Sequence, residues 1–259
     1  MRYFVVDAFT DTLFSGNPAG VCLPETPLDE ALMQRIAAEN NLSETAFVVP
    51  QEEAYSLRWF TPKSEINLCG HGTLASAFVL HAVTHVTAEA YRFQTKSGLL
   101  TVTPVADGLY EMDFPAWPVR SVDVTPEMEA AFGCHILEAH AARDLLLLLE
   151  NEAAVHDLRP DFAAIVCLPG GQDVVVTAKG DSYDFVSRFF APAIGIPEDP
   201  VTGSSHSQLI PFWTQRLGKN RFTARQLSAR GGTLYCEDCG ERVKIAGRVV
   251  LYLAGEIHI

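Results

Sequence analysis

Positive charge is scarce in this chain. Its 19 lysines and arginines face 32 aspartates and glutamates, a formal net charge of −13 over 259 residues. Such a surface repels phosphate backbones and anionic lipid, which argues against nucleic-acid and membrane partners. Long apolar runs are also lacking. The longest, five leucines at 145–149, falls far short of the roughly 20 residues of a membrane span and suits a buried strand. The opening MRYFVVDAFT has no charged-then-apolar leader, because Asp7 interrupts it. These absences predict a cytoplasmic protein. No glycine loop ends in Gly-Lys-Ser or Gly-Lys-Thr, which excludes a P-loop. The stretch GHGTLA at 70–75 puts alanine at the third glycine of the dinucleotide fingerprint, and no βαβ unit with a following acid supports it. Cys236 and Cys239 form a Cys-x-x-Cys pair without a second one, so neither structural zinc nor a thioredoxin-like centre is expected. No metal and no cofactor is assigned.

What is present is enough apolar material, 48% of residues, for one large core or two smaller ones. One pattern occurs twice. Arg58-Trp59-Phe60-Thr61-Pro62 is followed by CGHGT at 69–73 and an apolar run; Arg188-Phe189-Phe190-Ala191-Pro192 is followed by DPVTGSSHSQLIPFW. Gly70 precedes Gly98 by 28 residues, and Gly203 precedes Gly231 by the same 28. A shared offset between matched features is the mark of an internal duplication. The proline-rich stretch at 114–127 is the expected boundary, giving domains 1–117 and 118–259, with the final strand GRVVLYLAGEIHI open between them.

The elements are mixed. RYFVVDAF, AGVCL, TAFVV and YSLRWF have strand composition, and a capped amphipathic helix is expected from Thr26-Pro27 to near Asn40-Asn41. Residues 73–82 predict a helix that is apolar nearly all round, hence buried. The second half predicts strands at 145–149, 174–178 and 183–190, a helix at 160–168 and another after 203. The expected fold class is α+β: two pseudo-symmetric domains, each a curved sheet or barrel around a central helix.

In each half small residues precede that helix: Gly70-His71-Gly72-Thr73 and Thr202-Gly203-Ser204-Ser205. The first amides of a helix lack internal partners and its dipole makes that end partly positive, so a small anion is held there without lysine. Two such ends facing one another would grip a small carboxylate. A pair of tight strand-to-helix turns gives the same residues.

Four stretches, VDAFTDTLFSGNPAGVCL, NNLSETAFVV, RWFTPKSEINLCGHGTLASA and RFFAPAIGIPEDPVTGSSHSQL, resemble the signature blocks of the PhzF-like (phenazine-biosynthesis) isomerases, which share the diaminopimelate-epimerase fold. The resemblance implies a two-domain enzyme with its site between the domains and no cofactor. It implies that Glu44 transfers the proton, that His71 is the active-site histidine, that Asp199 is its acidic partner and that Ser204 serves the second loop. Gly70, Gly72, Gly203 and Ser205 become candidate backbone donors to the substrate, and Asn17 a lining residue. A homodimer is the expected assembly. In racemases of this fold paired cysteines precede the two loops; here Cys69 keeps the first position and Pro200 occupies the second. That disfavours a two-thiol racemase and makes Cys69 a small buried residue. A non-catalytic carboxylate binder is the remaining alternative.

Overall fold

The structure is a computed structural model that describes residues 1–169 and 173–259. In chain order the first part contains β1 (Arg2–Ala8), β2 (Asn17–Leu23), α1 (Glu30–Asn40), β3 (Glu44–Pro50), β4 (Tyr55–Phe60), β5 (Glu65–Ile66), α2 (Gly70–Phe78), β6 (Tyr91–Thr95), β7 (Gly98–Val105) and β8 (Leu109–Pro115). Then follow β9 (Arg120–Val122), α3 (Pro126–Phe132), β10 (Glu138–Ala141), β11 (Leu145–Leu148), α4 (Glu152–His156), α5 (Phe162–Val166), β12 (Val174–Lys179) and β13 (Phe185–Ala191). The chain ends with β14 (Ile196–Asp199), α6 (His206–Leu217), β15 (Arg221–Gln226), β16 (Gly232–Asp238), β17 (Arg242–Gly247) and β18 (Val249–Glu256). Among the described residues no helix is long and apolar enough to cross a membrane.

Two compact units emerge, Met1–Asp113 with Ala246–Ile259, and Phe114–Ile245. The final strand, left open between the two expected domains, finds its place here: β18 pairs with β1 along its whole length, Arg2 opposite Glu256 and Ala8 opposite Val249, and so belongs to the first unit. Strand composition alone could not show this, because the partner lies about 250 residues away.

The two units repeat one pairing scheme. In the first, β1 is antiparallel to β2, β2 parallel to β3, β3 antiparallel to β4, β4 parallel to β6, and β6 antiparallel to β7. In the second, β10, β11, β12, β13, β15 and β16 follow the same order and directions. The short strands match too: Trp59 pairs with Ile66 as Phe189 pairs with Asp199. β18 lies on β1 as β9 lies on β10. The first strand of each repeat thus follows directly on the last strand of the other, which explains why the chain's end returns to the first unit.

The central strands of each sheet are covered on both faces, which is why they are buried without alternation, whereas outer strands such as β6, β8 and β15 alternate. Residues Glu44 to Val48 of β3 are all buried, as are Leu145 to Leu148. One face of the first sheet receives α1, whose Met33, Ile36 and Ala37 pack on Cys22, Phe47 and Phe60. The other receives α2, in which Gly70 through Ala77 are all buried. In the second unit α3, α4 and α5 pack on Leu145, Leu147, Val174, Val176 and Phe190. Full burial of one such side chain contributes roughly 1.5–3 kcal/mol.

The central helix of the second unit, α6, contains Pro211 and still runs twelve residues. Proline supplies no N–H to the carbonyl four residues back, Ser207. The amide of Trp117 fills that place, donating to the Ser207 carbonyl at 2.8 Å. Two other expectations shift locally. Helix α1 is capped by Asp29 rather than Thr26, with Asn41 in the left-handed conformation at its end. The helix expected at 160–168 is only Phe162–Val166, capped by Asp161.

Candidate active site

Glu44 opens β3 and is 5% exposed; His71 lies in the first turn of α2 and is 4% exposed. Their facing atoms, Oε2 and Nε2, are 2.8 Å apart. The approach is close but not aligned as a hydrogen bond, and Oε2 has no aligned donor among the described residues. An ion pair whose carboxylate oxygen keeps a lone pair free can still take a proton from elsewhere. The opposite ring nitrogen, Nδ1, faces the Asn17 amide at 3.1 Å. Asn17 is itself fully buried at the start of β2. The three residues come from positions 17, 44 and 71, gathered because β2 and β3 run parallel with Ala19 opposite Glu44 and α2 packs against both.

Burial pulls the His71 pKa down, but negative charge at Cys69 and Glu44 outweighs it and holds the imidazole well above its ordinary value. Burial raises the Cys69 thiol. The site therefore sets the His71 imidazole, its protonated form favoured, between the Glu44 carboxyl and the Cys69 thiol.

Cys69 is more than a filler. It is the N-cap of α2, its Sγ accepting from the Gly72 amide at 3.3 Å and lying 3.6 Å from His71 Nδ1. This corrects the place expected for Gly72 among substrate donors. Its amide is engaged, and glycine is needed there because a Cβ would stand 2.9 Å from Trp59 Cδ1 and 3.0 Å from Cys69 Sγ. The amides of Gly70 and His71, the first of the helix, are the donors that remain. Cys69→Ser keeps an N-cap acceptor and is expected to retain turnover within about tenfold, while Cys69→Ala costs about 1 kcal/mol of stability by losing the cap. Loss of turnover in the serine variant equal to that of Glu44→Gln would instead make the thiol a proton carrier.

Glu44, Cys69 and His71 also present ligand-type atoms within 4.8 Å of one another, and these are the residues that could hold a metal. The positive end of α2 and the imidazolium favour an anion there instead.

In the second unit, Asp199 ends β14 and accepts from Thr202 Oγ1 at 2.5 Å. Gln226 locks the loop, donating Nε2 to the Asp199 carbonyl at 2.7 Å and accepting the Thr202 amide at 2.8 Å. Ser204 is half-buried and Gly203 buried. Ser205, at the N-cap of α6, turns its hydroxyl to the Thr202 carbonyl at 2.9 Å. His206 Nδ1–H donates to that same carbonyl at 2.9 Å. The corresponding bond in the first unit is Thr73 Oγ1 to the Cys69 carbonyl at 2.6 Å, so both loops are tied by residue i to carbonyl i−4 at the same place in the repeat.

The sequence did not single out Gln226, and it named Thr202, His206 and Trp59 only as parts of the repeated stretches. The indole N–H of Trp59, buried beside Gly72, has no hydrogen-bond partner among the described residues. Strand register would also have aligned Glu44 with Asp173, since Thr45 pairs with Phe60 as Val174 pairs with Phe190. Burial and nearby Asp144 raise the Asp173 pKa.

Burial lowers the His206 pKa to about 4. The unfolded chain takes up its proton near 6.5, so between about pH 6.5 and 4 the unfolded state binds more protons and stability falls on acidification. The loss is on the order of 3 kcal/mol once the pH is below both values. His206→Thr, which copies the Thr73 arrangement, is expected to remove this share from the urea midpoint measured at pH 7 and at pH 4. An unchanged pH dependence in the variant would contradict the assignment.

Comparison with known proteins places these features. A family model described as phenazine biosynthesis-like protein matches residues 6–255. An "uncharacterized isomerase" of Pseudomonas aeruginosa is 51% identical, covering 100% of this chain and 99% of that protein. The crystal structure of a PhzF-family phenazine biosynthesis protein from Enterococcus faecalis superposes with a TM-score of 0.97 at 49% identity, over 100% and 99% of the two chains. A probable proline racemase from Agrobacterium radiobacter K84 shares the fold alone, with a TM-score of 0.67 at 12% identity over 100% of this chain and 93% of that one.

Proposed function

Because this chain belongs to the phenazine biosynthesis-like family, a group with isomerase- and epimerase-type members, we propose that it moves a proton between carbons of a small carboxylated metabolite with Glu44 as the acid–base group. The observation that carries this reading is the buried Glu44–His71 pair at 2.8 Å with a carboxylate oxygen left free of an aligned donor. A carboxylate in a desolvated setting can take a proton from a carbon acid and return it within one turnover. The charge that develops on the substrate is enolate-like, and the Gly70 and His71 amides with the His71 imidazolium provide positive potential for it. Asn17 fixes the imidazole ring from the other nitrogen. Asp199 and Ser204 are assigned to the same reaction on the sequence blocks that carry them: Asp199 as a second acid, Ser204 as a hydroxyl donor beside Gly203 and Ser205.

Proton transfer between carbons requires no redox or electron-sink group, so none is assigned. The thiol route of the racemases is disfavoured because the repeat places Thr202, not Pro200 and not a second cysteine, at the position of Cys69, and because burial raises the Cys69 thiol. The test is a panel of small carboxylates incubated with the enzyme in deuterated water and read by mass. Enzyme-dependent deuterium uptake at carbon identifies the substrate and supports the reading; conversion of a substrate with no exchange and no dependence on Glu44 would remove it.

A further inference from the structure

The duplication provides an internal control for charge. Arg58 on β4 and Arg188 on β13 are repeat equivalents, and each forms a two-pronged ion pair with the glutamate of the following short strand. Arg58 meets Glu65 at 2.7 Å through both prongs; Arg188 meets Glu198 at 2.7 and 3.0 Å. Around the first pair the charges balance. Glu30 adds a carboxylate to Arg58 and Lys96 adds an ammonium to Glu65, giving two cations and two anions.

Around the second pair they do not. A cavity of about 500 Å³ borders Arg188 and Glu198 and is lined as well by Arg159, Arg225, Arg230 and His156. His156 pairs with Asp157, but no carboxylate pairs with Arg159 or Arg225 among the described residues. Arg159 donates Nη1 to the carbonyls of Asp157 and Leu158. Arg225 donates Nη1 to Thr233 Oγ1 at 2.9 Å and rests its Nη2 against Gly231, where a Cβ would stand only 2.7 Å away. Gly231 has φ +62, so both its backbone conformation and the guanidinium above it require glycine. The strand registers put Gln94 of the first repeat at the place of Arg225, since Ser56 pairs with Gln94 as Val186 pairs with Arg225, so the second repeat carries a cation where the first carries a neutral amide. Arg92, on the same strand as Gln94, borders a cleft that also contains Glu52, Glu53 and Glu89.

Two guanidinium groups held by neutral acceptors, around a cavity backed by a neutralised Arg–Glu pair, form a receptor for a doubly charged oxyanion. We infer that this cavity of the second unit binds a phosphate-bearing small molecule, separately from the proton-transfer site. The separation follows from the strand: Glu198 lines the cavity, and the next side chain along β14, Asp199, points to the opposite face. Gln226 borders the cavity and also holds the Asp199–Thr202 loop, so occupancy can be felt there without sharing residues of the chemistry.

The experiment is calorimetric titration of the full chain with inorganic phosphate at low ionic strength, with circular dichroism on each variant. Saturable one-to-one binding is expected, weakened as salt rises. Arg225→Gln and Arg159→Gln should each reduce affinity about tenfold, the loss of one charge-assisted contact, while Arg92→Gln leaves it unchanged. Arg159 is exposed, so its variant tests the site even if Arg225→Gln fails to fold. Absence of saturable binding at millimolar phosphate, or equal affinity in the Arg159→Gln protein, would overturn the inference. Equal weakening by Arg92→Gln would do so too, because it would mark a general charge effect.

Discussion

Glu44→Gln is expected to fold normally, to retain carboxylate binding, and to lose about 100- to 10,000-fold in kcat, the range a positioned acid–base group supplies. Glutamine keeps the volume of the side chain at the start of β3, where burial leaves no room for a larger change. It can still face the His71 ring, but it cannot accept and return a proton. KM should move little, since the anion-holding potential comes from the first amides of α2 and from His71. A matched rise in KM with unchanged kcat would assign Glu44 to binding alone.

His71→Gln is expected to be the more damaging change to the folded protein. Removing His71 leaves a buried carboxylate uncompensated and costs about 3–5 kcal/mol, whereas after Glu44→Gln the imidazole keeps the Asn17 amide as a partner and can shed its proton. The pH dependence carries a signature of its own. The folded-state pKa of His71 is raised well above its ordinary value, so the folded protein holds this proton where the unfolded chain has released it. The stabilisation is fully present below about pH 6.5, the unfolded value, and is lost as pH rises through the folded value. Urea midpoints of the native protein should decline on the alkaline side of neutrality, and His71→Gln should flatten that decline. At higher pH the buried Cys69 thiol, also raised, adds a decline of the same sign that the variant keeps. A native midpoint that rises between pH 7 and 9 would show that the histidine is neutral in the fold.

Much of this arrangement was legible in the residues because it is written twice. The matched Arg-x-Phe-x-Pro and glycine spacings reported the repeat, and the all-apolar run after CGHGT reported a helix buried by its sheet. Glu44, His71 and Asn17 were named from motifs, and long-range pairing then brings them together: 54 residues separate Asn17 from His71, and no local periodicity encodes that distance. The domain of the final strand stayed open for the same reason. Helix limits failed where two start signals competed, as with Thr26-Pro27 against Asp29. Cys69 was undervalued because a cap made by sulphur resembles, in sequence, any small buried residue. The Gln226 lock on the Asp199 loop spans 27 residues and had no sequence signal apart from the repeat itself.

The central claim is that Glu44 carries the proton. The measurement that meets it most directly is the mass of substrate and product recovered from deuterated water after incubation with native and Glu44→Gln protein at equal concentration. The account predicts deuterium at carbon with the native enzyme and none above the enzyme-free background with the variant, while both still bind the carboxylate. Equal deuterium incorporation by the two proteins would contradict it.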